Sequence, residues 1–156
     1  MLVALAGVVL IAGVQADSAD DLLWKGNALT QMGMYDKAID ALDASIKTKA
    51  SAQAYAVKGE ALDKLGKHDE ALAAYDAAAL TDPNYAGAWV GKGKVFAELK
   101  KYDQALMVFN QAILLDPKNG AAWAGKADAL NALGQTEESQ KATGKAKDFG
   151  FVANLS

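Results

Sequence analysis

Tyr55-Ala56-Val57-Lys58-Gly59 returns as Trp89-Val90-Gly91-Lys92-Gly93 and again as Trp123-Ala124-Gly125-Lys126-Ala127, 34 residues apart each time. A fainter copy, Leu22-Leu23-Trp24-Lys25-Gly26, stands 33 residues before the first of these. A fixed spacing of this size marks one supersecondary unit used repeatedly, and it decides the architecture before any local reading does. Downstream in each copy, Ala38, Ala71, Ala105 and Ser139 share one column, and Leu42, Tyr75, Phe109 and Thr143 share the column four residues on. Asp82-Pro83 and Asp116-Pro117 close the middle two copies.

Each unit opens with an amphipathic stretch of about 14 residues and breaks at Gly33, Gly66, Lys100 or Gly134. It resumes in a second stretch starting at Asp36, Asp69, Asp103 or Glu137, where an acid faces the positive end of the second helix. Lys100 replaces the glycine of the other three turns, and a left-handed residue there costs about 1 kcal/mol. Gly26, Gly59, Gly93 and Ala127, at the eighth place of each unit, allow paired helices to approach closely. The spacing assigns the room beside them to the large residue four positions earlier, Leu22, Tyr55, Trp89 or Trp123. One such hairpin cannot bury both of its faces, whereas stacked hairpins can.

From about Ala19 to Lys147 this pattern resembles the tetratricopeptide family: a 34-residue unit with an aromatic, a turn glycine, an Ala-x3-aromatic pair and a terminal proline. The resemblance implies an all-α, right-handed superhelix of four helix-turn-helix repeats, at about 19–51, 52–85, 86–119 and 120–147 of a domain spanning 17–147. It also implies protein binding without catalysis. Where the family carries an aliphatic residue at the seventh place, this chain has Lys25, Lys58, Lys92 and Lys126. Their stems are expected to cover apolar neighbours while the ammonium groups reach water.

The fourth unit is polar in its second half, with Gln140, Lys141, Thr143, Gly144, Lys145 and Lys147, as suits a terminal repeat with a wet outer face. Residues 148–156 then form an apolar tail, with Phe149, Phe151, Val152 and Leu155, read as a partial cap on the last hairpin. At the other end, Leu2 to Val14 is apolar or Gly/Ala, too short to span a bilayer comfortably. Val14-Gln15-Ala16 gives the small-x-small pattern before Asp17, so 1–16 is read as a signal peptide cleaved after Ala16, with a membrane anchor as the alternative. That places the protein outside the cytoplasm or anchored to a membrane by this segment, its only route to a membrane.

The chain has 156 residues, 16 basic against 19 acidic and no cysteine. The charge balance argues against a phosphate-neutralising surface, hence no nucleic-acid partner. The missing cysteines exclude disulfides, thiolate metal sites and thiol nucleophiles. His68 is the single histidine and stands in the column of Tyr35 and Tyr102, which favours turn packing over catalysis. Asp20-Asp21, Asp69-Glu70 and Glu137-Glu138 all fall at helix starts, and Ser18 with Asp21 forms a capping-box variant. No cofactor, metal or catalytic set is expected.

Function then falls to the inner face of the first helices, at the second, fifth, ninth, twelfth and thirteenth places of each unit. The candidate partner-binding residues are Leu23, Asn27 and Gln31; Gln53, Glu60 and Lys64; Val90, Lys94 and Glu98; and Asp128. Tetratricopeptide domains that grip acidic chaperone tails use a lysine/asparagine/arginine clamp in this groove. Only Asn27 matches it, with Leu23, Val57, Gly87 and Gly91 in the other clamp places, so that role is set aside. The expected function is a non-enzymatic scaffold or adaptor holding a peptide or helix of a protein partner. The second reading is a self-associating structural module, a homo-oligomer, or an accessory subunit of an envelope complex.

Overall fold

The computed structural model describes residues 17–151. The stretch 1–16, expected from the sequence to be a signal peptide or anchor, and Val152 and Leu155 of the tail lie outside the described residues. Eight helices follow in order: α1 Ala19–Gln31, α2 Tyr35–Thr48, α3 Ala52–Lys64, α4 His68–Thr81, α5 Ala86–Glu98, α6 Tyr102–Leu115, α7 Gly120–Ala132 and α8 Thr136–Asp148. They pair as four hairpins, and the second helices begin one residue ahead of the acids that signalled them. No helix among the described residues is long and apolar enough to cross a membrane.

Local chemistry sets each boundary. Ser18 and Asp21 cap α1 reciprocally, side chain to backbone in both directions. Ser51 Oγ accepts from Ala54 N at 3.2 Å, and Asn119 Oδ1 from Ala122 N at 3.0 Å. The starts of α2, α4, α6 and α8 lack any side-chain cap, and each instead carries an acid in its first turn. The turns within the hairpins pass through left-handed residues: Gly33, Gly66 and Gly134 at φ 74°, 75° and 78°, and Lys100 at φ 58°. Between units, the Asp82 and Asp116 carboxylates accept from the backbone N–H two residues on, at 3.0 and 3.1 Å, which folds the Asp-Pro corners.

The array is asymmetric across its thickness. The first helices touch in succession, α1 with α3, α3 with α5 and α5 with α7, whereas among the described residues no second helix contacts another second helix. A stack packed more tightly along one layer curves toward it, so the first helices form the inner side.

What fills the room beside the glycines differs from the sequence reading. It is the next helix along, not the residue four earlier. Leu42 lies against Gly26, Tyr75 against Gly59 and Gly91, and Phe109 against Gly93 and Gly125. A Cβ on Gly93 would stand 2.7 Å from the Phe109 ring. Each buried side chain thus pins its own hairpin and the following one, and glycine removes the Cβ that would block it. In the first unit the pin is the smaller Leu42, and the residue in Gly91's column is Val57. In the fourth, the pin column holds exposed Thr143, whose hydroxyl donates back to Ser139 O at 2.9 Å. The polar terminal unit is held instead by Ser139 Oγ donating to Ala127 O at 2.9 Å, where the other units carry fully buried alanines.

The lysine column also does more than cover its neighbours. Lys58 pairs with Asp43 and Lys92 with Asp76, each at 2.5 Å, linking a first helix to the second helix before it. Lys126 stands over the Trp123 ring, 5.3 Å from its centre. Such partly exposed pairs contribute about 0.2–1 kcal/mol each and fix the register of neighbouring units.

Two stability outcomes follow from this packing. Gly125→Val forces a side chain into the Phe109 ring and should cost roughly 1–3 kcal/mol in urea unfolding; adding Phe109→Leu, the pairing already present as Leu42 with Val57, should recover part of the loss. Lys100→Gly should stabilise the chain by about 0.5–1 kcal/mol in the same assay, because it relieves the left-handed turn.

Candidate partner-binding groove

A groove of about 330 Å³ opens on the inner side between α3 and α5. Two phenols from outside those helices line it. Tyr75 reaches it from α4 across Gly91, and Tyr85, in the loop before α5, lies over Gly87, where a Cβ would meet its ring at 2.8 Å. Glu60, Asp63 and Lys64 of α3 and Lys94 and Glu98 of α5 form the charged sides. Burial pushes the Tyr75 hydroxyl well above the usual phenol range, and the Glu60, Asp63 and Glu98 carboxylates push it further. Tyr85 moves the same way, from burial first and then Glu60. Both hydroxyls therefore stay protonated in neutral solution, able to donate and accept hydrogen bonds to a bound backbone.

Five of the ten candidates meet here: Glu60, Lys64, Val90, Lys94 and Glu98. Val90 does so mainly from the core, being only 7% exposed. The other five do not line this groove. Gln53 is exposed on α3, and Asn27 and Gln31 lie on α1. Leu23 is drawn into the cluster of Ala38, Leu42, Ala54 and Ala61. Asp128 lines a separate cleft of about 100 Å³ with Thr143, Lys147 and Phe151, where burial raises its pKa. Phe151 reaches back from the tail so that its Cβ would stand 2.8 Å from one added to Gly120, which covers the start of α7.

Tyr75 leaves from α4 and Tyr85 from the loop before α5, so the helical periodicity of the first helices carries no sign of either. The signal for Tyr75 is the pair of columns in which Tyr75 and Phe109 answer Gly91 and Gly125 of the next unit. His68 has a local role: its Nδ1 lies 2.9 Å from Asp63 Oδ1, closing the turn. Glu98 stands close by, with ligand atoms of the three side chains within 4.8 Å of one another.

Residues 57–119 and 96–148 each match a family model described as tetratricopeptide repeat, and residues 5–78 match one described as anaphase-promoting complex, cyclosome, subunit 3. With four hairpins built on a 34-residue period, the chain is a tetratricopeptide repeat protein. Comparison with curated proteins gives no match. Among solved structures, a MamA crystal structure is similar at a TM-score of 0.73 and 24% identity, over 84% of this chain and 77% of that one. MamA from Desulfovibrio magneticus RS-1 is similar at 0.70 and 24%, over 86% and 77%. The tetratricopeptide domain of Arabidopsis OM64 is similar at 0.66 and 25%, over 72% and 94%. These likenesses concern the fold.

The buried phenols give the protein an alkaline weakness. An unfolded tyrosine titrates near 10, whereas folded Tyr75 holds its proton to higher pH. Above about pH 10 the unfolded chain therefore binds fewer protons than the folded one, and stability falls as pH rises. Urea midpoints measured from about pH 9 to about pH 11 should drop, and Tyr75→Phe should flatten that slope.

Proposed function

We propose that this protein is a non-catalytic scaffold that holds an extended peptide or a helix of a partner protein along its inner groove, outside the cytoplasm. The observation that carries the reading is the groove between α3 and α5, with two protonated phenols between mixed charges. Neutral hydroxyls suit the backbone of a guest, whereas Glu60, Glu98, Lys64 and Lys94 select its side chains. An apolar helix seated on the phenols with its own acids and lysines in register fits the same features. The single histidine is already engaged with Asp63, which fits a binding role better than a reaction. The extracytoplasmic placement rests on the apolar stretch Leu2 to Val14 and the small residues ending at Ala16.

A crosslinker placed at exposed Gln53, one helical turn before Ala56 and Val57 of the groove, should capture partner proteins from the native envelope, and Lys64→Glu with Lys94→Glu should lose them without lowering the melting temperature. Val90 is unsuitable for that control because it is buried. Equal capture by both forms would refute groove binding. N-terminal sequencing of exported protein should begin at Asp17; an intact Met1 on cytoplasmic protein would refute the placement.

A further inference from the structure

The junction between the third and fourth units departs from the two before it, on the side away from the groove. The acids that pair with the lysine column are Asp43 and Asp76, and the next residue in that column is Asn110. Lys126 is thus left without the carboxylate that Lys58 and Lys92 have, and it rests on Trp123. At the same junction Leu130 and Ala142 stand where the unit before has the larger Phe96 and Val108, as Leu62 and Ala74 do in the second unit. Lys141 and Lys145 replace Met107 and Gln111. The result is a cleft of about 520 Å³ with Leu106, Trp123 and Leu130 as its apolar lining and Lys126, Lys141 and Lys145 around it. Glu138 is its only acid, and none of the three lysines forms an ion pair among the described residues.

At 100° per residue, Trp123, Lys126 and Leu130 lie roughly 150° round the first helix from the groove columns, so this cleft is a separate surface. It is also a cationic patch on a chain whose net charge is −3. Lys141 and Lys145 are one helical turn apart, about 6 Å between their Cβ atoms, and Lys126 faces them from α7. Ammonium groups spread in this way match carboxylates spaced along a chain better than a single anionic headgroup.

We propose that this cleft docks an acidic segment of a partner protein. The segment inserts one aromatic or branched apolar side chain against Trp123 and Leu130, and its flanking carboxylates meet Lys126, Lys141 and Lys145. The site is independent of the inner groove, so one chain can hold two partners.

The test uses the full chain and a fluorescein-tagged probe peptide with a Leu-Phe core flanked on each side by two glutamates, read by fluorescence anisotropy. Binding should be present at low salt and weaken as salt rises. Lys141→Glu with Lys145→Glu, both exposed, should weaken it by roughly tenfold or more, while Lys64→Glu with Lys94→Glu leaves it unchanged. The same peptide with lysines in place of glutamates should not bind. Absence of binding, equal binding of the lysine peptide, or loss through the groove variant alone would overturn the proposal. So would binding of phosphatidylglycerol vesicles that the acidic peptide cannot displace.

Discussion

A ring from α4 and another from α6 each enter the gap between two successive first helices, and the gap exists because those helices lack a Cβ where the ring enters. Tyr75 between Gly59 and Gly91, and Phe109 between Gly93 and Gly125, are the two aromatic cases. Because each pin touches both its own hairpin and the next, hairpin formation and stacking are one event. Removing the bulk leaves a void, and adding a Cβ opposite it creates an overlap, so size is constrained from both sides. Leu42 with Val57 shows that the constraint falls on the sum of the two volumes and not on either residue alone.

The same contact shapes the inner surface. Gly91 lets the Tyr75 ring pass far enough between α3 and α5 for its hydroxyl to reach the groove, so a packing residue also supplies a polar group to the candidate binding surface. Tyr85 does likewise over Gly87. The glycines that a family comparison marks as missing clamp residues are therefore the positions that admit tyrosine, and the groove acquires neutral donors where a clamp would have placed cations.

Charges follow the repeat as long as each unit supplies its share. Lysine from one unit and aspartate from the unit before it lock the first two junctions. At the third junction, Asn110 in place of an aspartate leaves Lys126 without an acid partner, beside an apolar cleft. Each unit contacts only its neighbours, so divergence in the fourth costs the rest of the array little.

The sequence by itself determined the repeat, the turns and the fold class. The 34-residue period, the left-handed positions at Gly33, Gly66, Lys100 and Gly134, and the cap at Ser18 depend only on neighbours within one unit. It also marked Glu60, Lys64, Lys94 and Glu98, because helical periodicity places them on one face. Only the tertiary structure decided which residue fills each glycine gap, that Leu23 and Val90 belong to the packing, and that Asp128 lies in another cleft. It also brought Tyr75 and Tyr85 into the groove, and left Trp24 74% exposed in the column where later units receive a pin. The physical reason is distance along the chain: a helical wheel reports the direction a side chain leaves its own helix, whereas burial and occupancy depend on what the neighbouring unit places opposite it.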